Sequence, residues 1–138
     1  MKPNNAIYQK CTRISFFRGW VEFLAPFHKL TARERDVMAR ILVQYFKFKD
    51  CVQDPEDDEL LKELLWSQTS RKDMRESLKM SQAHFQMILA KLRESGVLVN
   101  NDLNPKYIPH VGDEPRFMLS IIFDWSSDSE PVDGKKQD

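Results

Sequence analysis

The sequence predicts an α+β domain, mainly α, with a small antiparallel β element towards its C-terminal end. Three observations predict it. Residues 70–99, SRKDMRESLKMSQAHFQMILAKLRESGVLV, read as two short helices joined by a tight turn, then a glycine and a β-run. Upstream, LTARERDVMARILVQYFKFKD carries a broad apolar face at helical spacing. Downstream, Phe117, Leu119, Ile121 and Phe123 alternate with Met118, Ser120, Ile122 and Asp124, the period of a strand.

Taken in order, residues 1–12 look extended or loosely ordered. ISFFRGWVEFLAPF then places Phe16, Trp20, Phe23, Leu24 and Phe27 on one side of a helix and Arg18 and Glu22 on the other. Pro26 should end or kink it. In the next helix Thr31 and Glu34 form a capping box, and Val37, Met38, Ile41, Leu42, Tyr45 and Phe48 make the apolar face. Arg33, Arg35, Arg40 and Lys47 fall on or near the exposed side. DCVQDPEDDE is an acidic connection broken by Pro55, and LLKELLWS is a short helix or a helix entering a strand, whose Trp66 should pack beneath the elements that follow.

The 70–99 stretch is the most informative. Ser70 is placed to cap its first helix, with Asp73 three residues on, and Met74 and Leu78 share one face. Ser81 offers a second N-cap after Met80. Phe85, Ile88, Leu89 and Leu92 form the core stripe of the second helix. Gly96 stands where a helix C-terminal glycine belongs, and Val97, Leu98 and Val99 turn to β-formers. Asn100-Asn101-Asp102 is a turn signal. The span to residue 116 is long and stiffened by Pro105 and Pro109 before the alternating run returns.

These residues resemble the winged helix-turn-helix family, DNA-binding domains found in bacterial regulators and replication proteins. Met74 and Leu78 take the apolar positions of the first helix and Met80 that of the turn. Ser81 opens the second helix, and Leu89, Leu92 and Gly96-Val97-Leu98 match the closing run. LNPKYIP, residues 103–109, is similar to the wing segment of some phage and plasmid replication-type members. Two positions depart from the pattern. Arg75 replaces a small residue, and Lys79 stands where a glycine with positive φ is common, so a differently built turn is expected. The resemblance implies a winged helix-turn-helix domain over residues 1–125, with an N-terminal helical extension. Residues 126–138 then form a polar tail, expected to be disordered.

Composition narrows the function. The chain has 138 residues, a length for one domain, and 21 basic against 21 acidic residues. That balance does not by itself point to nucleic acid. The charges are segregated, however. Seven basic and four acidic residues lie between Trp66 and His110, while seven acidic residues face one lysine between Asp50 and Glu63. Cys11 and Cys51 lack any zinc-site spacing and read as reduced thiols of a cytoplasmic protein. No apolar run approaches the roughly 20 residues that span a bilayer, so no membrane association is expected. The acidic stretch lacks the ligand spacing and glycine of a calcium loop, so no metal is expected. Four glycines form no phosphate loop, and His28, His84 and His110 have no nucleophile beside them. Neither enzymatic activity nor a cofactor is expected.

In that family the second helix enters the major groove of double-stranded DNA and the wing touches the backbone. With the core stripe buried, Ala83, Gln86 and Met87 would face the bases, and Gln82 would reach them from the first turn. Gln pairs with adenine, and apolar groups meet the thymine methyl. Ser81 and the helix start can hold a phosphate. Arg71, Lys72 and Arg75 would contact the backbone from the first helix, Lys91 from the second, and Lys106 and Arg116 from the wing. The expectation is a non-catalytic double-stranded DNA binder, a transcriptional regulator or replication-associated factor. The alternative is a protein-interaction or assembly module, of a kind phages encode, on the same scaffold. Under either reading, the helix with Phe16, Trp20 and Phe23 is a candidate homodimer seam.

Overall fold

The computed structural model describes residues 7–52, 58–112, 115–119 and 122–128. Expectations for residues in the acidic connection around Pro55, for Ile121 and for the end of the tail lie outside that set. The order is α1 (Arg13–Phe23), α2 (Ala25–His28), α3 (Ala32–Cys51), α4 (Asp58–Leu65), α5 (Gln68–Leu78), α6 (Gln82–Glu94), β1 (Leu98–Val99) and β2 (Asp102–Leu103). A 3-10 turn follows at Pro105–Tyr107. The protein is therefore mainly α with one small two-stranded antiparallel sheet, the coarse class the sequence predicts.

α3 is the spine. It packs against α1, α4, α5 and α6. Val37, Met38, Ile41 and Leu42 are fully buried, as the helical spacing requires. Thr31 and Glu34 close the capping box at its start. Tyr45 and Phe48 reach only the edge of the core, and Phe46 is buried in their place. Arg13 at the start of α1 meets Asp50 near the end of α3, at 3.5 Å, while Glu22 near the end of α1 meets Arg35 near the start of α3, at 2.8 Å. The two helices thus run antiparallel.

The buried face of α1 differs from the expected one. Phe17 and Val21 form its centre, with Phe16, Trp20 and Leu24 at the margins. The Phe17 ring stacks on Phe46 with centroids 5.0 Å apart. Phe23 and Phe27 are exposed. For Phe27 the reason is a break at Leu24: Pro26 opens a separate short helix, so Phe27 no longer shares a helical register with Phe16. Phe16 and Trp20 pack against Phe117 of the same chain, at 5.0 and 5.6 Å between ring centroids. The Trp20 indole N–H also donates to the Tyr107 carbonyl at 2.8 Å. Two of the three aromatics expected at a dimer seam are therefore engaged within the chain.

His28 joins α1, α2 and α3. Its buried ring accepts from the Leu30 N–H through Nδ1 at 3.0 Å and donates through Nε2 to the Val21 carbonyl at 2.8 Å. These two bonds fix the ring proton on Nε2. Lys29, at φ 56°, then turns the chain in the left-handed region towards the α3 cap.

The β element is much shorter than expected. Asn100 and Asn101, at φ 54° and 61°, form a two-residue turn that reverses the chain at once. Leu98 pairs with Leu103 and Val99 with Asp102. Two adjacent positive φ angles are the mark of a type I′ hairpin turn, and Asn tolerates both. The expected long return strand is not formed: no strand occurs among the described residues 115–119 and 122–128. The hairpin closes before reaching them, and Pro105 turns the chain away. Met118, Ile122, Phe123 and Trp125 are instead exposed. Among the described residues no helix is long and apolar enough to cross a membrane.

Two outcomes follow from the α1–α3 contacts. His28→Ala leaves a buried N–H and C=O without partners and should lower unfolding free energy by about 3 kcal/mol, read by urea denaturation. Hydrogen bonds from Arg18 and Arg35 hold the Glu22 carboxyl below the ordinary glutamate range. Its ionised form therefore favours the folded state at neutral pH, and that contribution is lost as pH falls through the depressed value. The stability gap between wild type and Glu22→Gln, read by urea denaturation, should accordingly be full at neutral pH and narrow as pH falls below the ordinary glutamate range.

Candidate functional site

α5 begins earlier than the sequence suggested. Ser67, not Ser70, is the N-cap: its side chain accepts from the Ser70 N–H at 3.1 Å. Ser70 lies inside the helix, buried, and its hydroxyl accepts from Gln44 Nε2 of α3 at 3.1 Å. Two serines three apart offer the same cap chemistry, and the pull of Gln44 selects the inner one for burial. The expected Ser70–Asp73 box is therefore replaced by the Ser67 cap.

The turn between α5 and α6 is built on the usual plan despite lacking glycine. Lys79 itself adopts φ 54°. The Met80 N–H bonds to the Arg75 carbonyl at 2.9 Å and the Lys79 N–H to the Glu76 carbonyl at 3.1 Å, the two bonds of a Schellman motif. Met80 is buried against the core. Arg33 of α3 donates to the Leu78 carbonyl at 2.8 Å and so ties the turn to the spine. The end of α6 repeats the motif with Gly96 at φ 85°, the Val97 N–H reaching the Leu92 carbonyl at 3.0 Å. Ser81 caps α6 through the His84 N–H at 3.1 Å, as expected.

This frame buries Phe85, Ile88, Leu89 and Leu92. It leaves Gln82, Ala83, Gln86, Met87 and Lys91 of α6 exposed, together with Lys72 of α5. Arg71 and Arg75 are partly covered. Lys91 lies 3.8 Å from Glu94. Among the described residues Arg71, Lys72, Arg75, Lys79 and Arg93 have no ion-pair partner.

Arg71 and Gln86 come together in one cleft of about 520 Å³, bounded by α4, α5, α6 and the hairpin turn. Arg93, Trp66 and Asn101 line it too, and sequence reasoning had not placed them in a site. Gln86 and Arg93 are seven residues apart, so the helical period puts them on one edge of α6. That edge borders the core stripe, and only the approach of α4 and the hairpin turns it into a wall. Asn104 fastens the hairpin to the end of α6: its Nδ2 donates to the Gly96 carbonyl at 2.9 Å and its N–H to the Val97 carbonyl at 2.8 Å. Trp66 Nε1 reaches Asp102 Oδ1 at 3.4 Å.

Lys106 and Arg116 are not on this hairpin. Lys106 belongs to the 3-10 turn, with its ammonium 5.4 Å from the Tyr107 ring centre. Tyr107 in turn packs near His28 and Trp20. Arg116 precedes Phe117, which is docked on α1. Both cations thus sit on segments anchored to the N-terminal helices. A smaller cleft of about 280 Å³ on the other side of α4 holds Tyr45 with Asp58 and Asp102. Burial, and then those two carboxylates, push the phenol above its ordinary range. Among the described residues no group of three or more His, Cys, Asp or Glu side chains is placed to hold a metal ion.

Replacing Lys79 tests the turn. Lys79→Gly removes the strain of a side chain in the left-handed region, offset in part by added chain entropy. It should raise stability by about 0.5–1 kcal/mol in thermal unfolding. With the geometry established, comparison with known proteins gives one result: no protein-family model, curated protein or solved structure matches this chain.

Proposed function

We propose that this chain is a non-catalytic double-stranded DNA-binding domain of the winged helix-turn-helix type, acting as a transcriptional regulator or a replication-associated factor. One observation carries the reading. α6 offers Gln82, Ala83, Gln86 and Met87 to solvent, flanked by Arg71, Lys72, Arg75 and Arg93, none of them ion-paired among the described residues. In use, α6 lies in a major groove with its N-terminus at a phosphate. The α5 cations hold the backbone, and the Asn100–Asn101 turn stands beside it as a short wing.

The first two turns of α6 contain no arginine, so guanine recognition is weak. Affinity then comes mainly from phosphate contacts and from DNA shape. The second reading, a protein-interaction or assembly module, is favoured by one fact: Met87 is 57% exposed beside Ala83 at the centre of the same face. A partner protein would cover an apolar patch there.

Electrophoretic shift with random-sequence duplex at two salt concentrations decides between them. On the DNA reading, the logarithm of affinity falls linearly with that of salt, with a slope of about −0.9 per phosphate contacted. Arg71→Ala and Lys72→Ala each weaken binding to every sequence alike and reduce the slope by about 1. Absence of binding at low salt overturns the reading in favour of the protein-interaction module.

A further inference from the structure

We propose that the cleft between α4, α5, α6 and the hairpin is a binding site for a mononucleotide whose base carries an exocyclic amine, held by its base and its phosphate. The volume of about 520 Å³ falls within the roughly 300–1,000 Å³ typical of small-molecule sites. Its chemistry is divided between walls. Leu89 and Leu98, both nearly inaccessible, supply an apolar floor. Trp66 is part-buried, and its indole N–H is tied back to Asp102 and its backbone N–H to the Lys62 carbonyl, so it offers the cleft ring surface rather than a donor. A planar base stacks on such a surface.

Arg71 and Arg93 bring guanidinium groups from α5 and α6, neither ion-paired among the described residues. Guanidinium groups bind phosphate in a bidentate fork. α4 contributes Glu59 and Glu63, which accept hydrogen bonds from an exocyclic amine. Lys62 between them also lines the smaller cleft, so it is shared by both. Gln86 and Asn101 each carry a donor and an acceptor for a base edge. The ligand that uses all these groups has a flat ring, an amine and an anion. A plain anion would meet the α4 carboxylates with nothing on Trp66, and a neutral ring would leave both arginines unused.

The inference needs no DNA, so it is tested separately from the proposed function. The full chain is titrated with adenosine monophosphate and guanosine monophosphate, following tryptophan fluorescence and heat. Adenosine, ribose 5-phosphate and inorganic phosphate are the controls. Saturable quenching by the monophosphates is expected, with each control at least tenfold weaker. Trp66→Phe should abolish the quench while Trp20 and Trp125 still emit. Arg93→Gln, at an exposed position whose loss leaves the core intact, should weaken binding at least tenfold, and Arg71→Gln likewise. Lys72→Gln, outside the cleft, should leave nucleotide binding unchanged, whereas on the DNA reading it weakens DNA binding. Three results overturn the inference: no saturable signal by either method at millimolar nucleotide, inorganic phosphate binding as tightly as the mononucleotides, or unchanged affinity in a folded Arg93→Gln protein.

Discussion

Burial of one face of α3 is the constraint on which the rest depends. Val37, Met38, Ile41 and Leu42 are wholly removed from solvent, and each such side chain contributes about 1.5–3 kcal/mol when fully buried. No single partner covers that face. α1 closes one side through Phe17 and Val21, and α5 and α6 close the other through Met74, Phe85 and Leu92. α1, α4, α5 and α6 therefore take their positions from the spine. Two polar contacts make the docking of α5 specific. Gln44 bonds the buried Ser70 near its start, and Arg33 bonds the Leu78 carbonyl at its end. Held at both ends, α5 has little freedom to slide, and the turn that follows presents α6 in one orientation.

The same spine sorts the charges. Arg18, Arg33 and Arg35 are used within the fold, where they pair with Glu22 and Asp36. Among the described residues Arg71, Lys72, Arg75, Lys79 and Arg93, on α5, the turn and α6, have no ion-pair partner. A chain with no net charge can thus carry unpaired cations on one part of its surface, because neutrality is a sum over the sequence and potential depends on position. The acidic helix α4 forms the opposite wall of the cleft, so this surface is bounded rather than open on every side. Arg71 belongs to both regions, lining this pocket of mixed charge and standing among the proposed backbone-contacting residues.

Much of the fold was legible in the residues. The core stripes of α3 and α6, the Thr31 and Ser81 caps, Gly96 and the Asn100–Asn101 turn all follow local rules of spacing and backbone preference. The misreadings share a cause, since each required knowing a non-local neighbour. Ser67 and Ser70 are equivalent caps until Gln44 arrives from α3. Phe23 and Phe17 are equally apolar until the approach of Phe46 from α3 buries only Phe17. Lys79 looked unsuited to a left-handed turn, yet the buried Met80 and the Arg33 contact stabilise the conformation enough to offset its strain. The alternating run from Phe117 has the pattern of a strand, but a strand needs an adjacent edge, and the two-residue turn closes the sheet before that run reaches it.

The sequence by itself determined α3 and α6 with their caps and apolar stripes, because those depend on interactions within a few residues. It also determined which side chains of α6 stay outside, since one stripe goes inward and the period assigns the rest. Tertiary structure alone decided the length of the β element, the docking of Phe117 on α1 and the placing of Lys106 and Arg116 away from the hairpin. It alone brought Trp66, Arg71, Gln86, Arg93 and Asn101 around one cleft. The helical period links only Gln86 with Arg93, both on α6; Trp66, Arg71 and Asn101 come from other parts of the chain, and no periodicity joins them to that pair. Their proximity exists only because α3 fixes the helices and Asn104 fastens the hairpin to the end of α6.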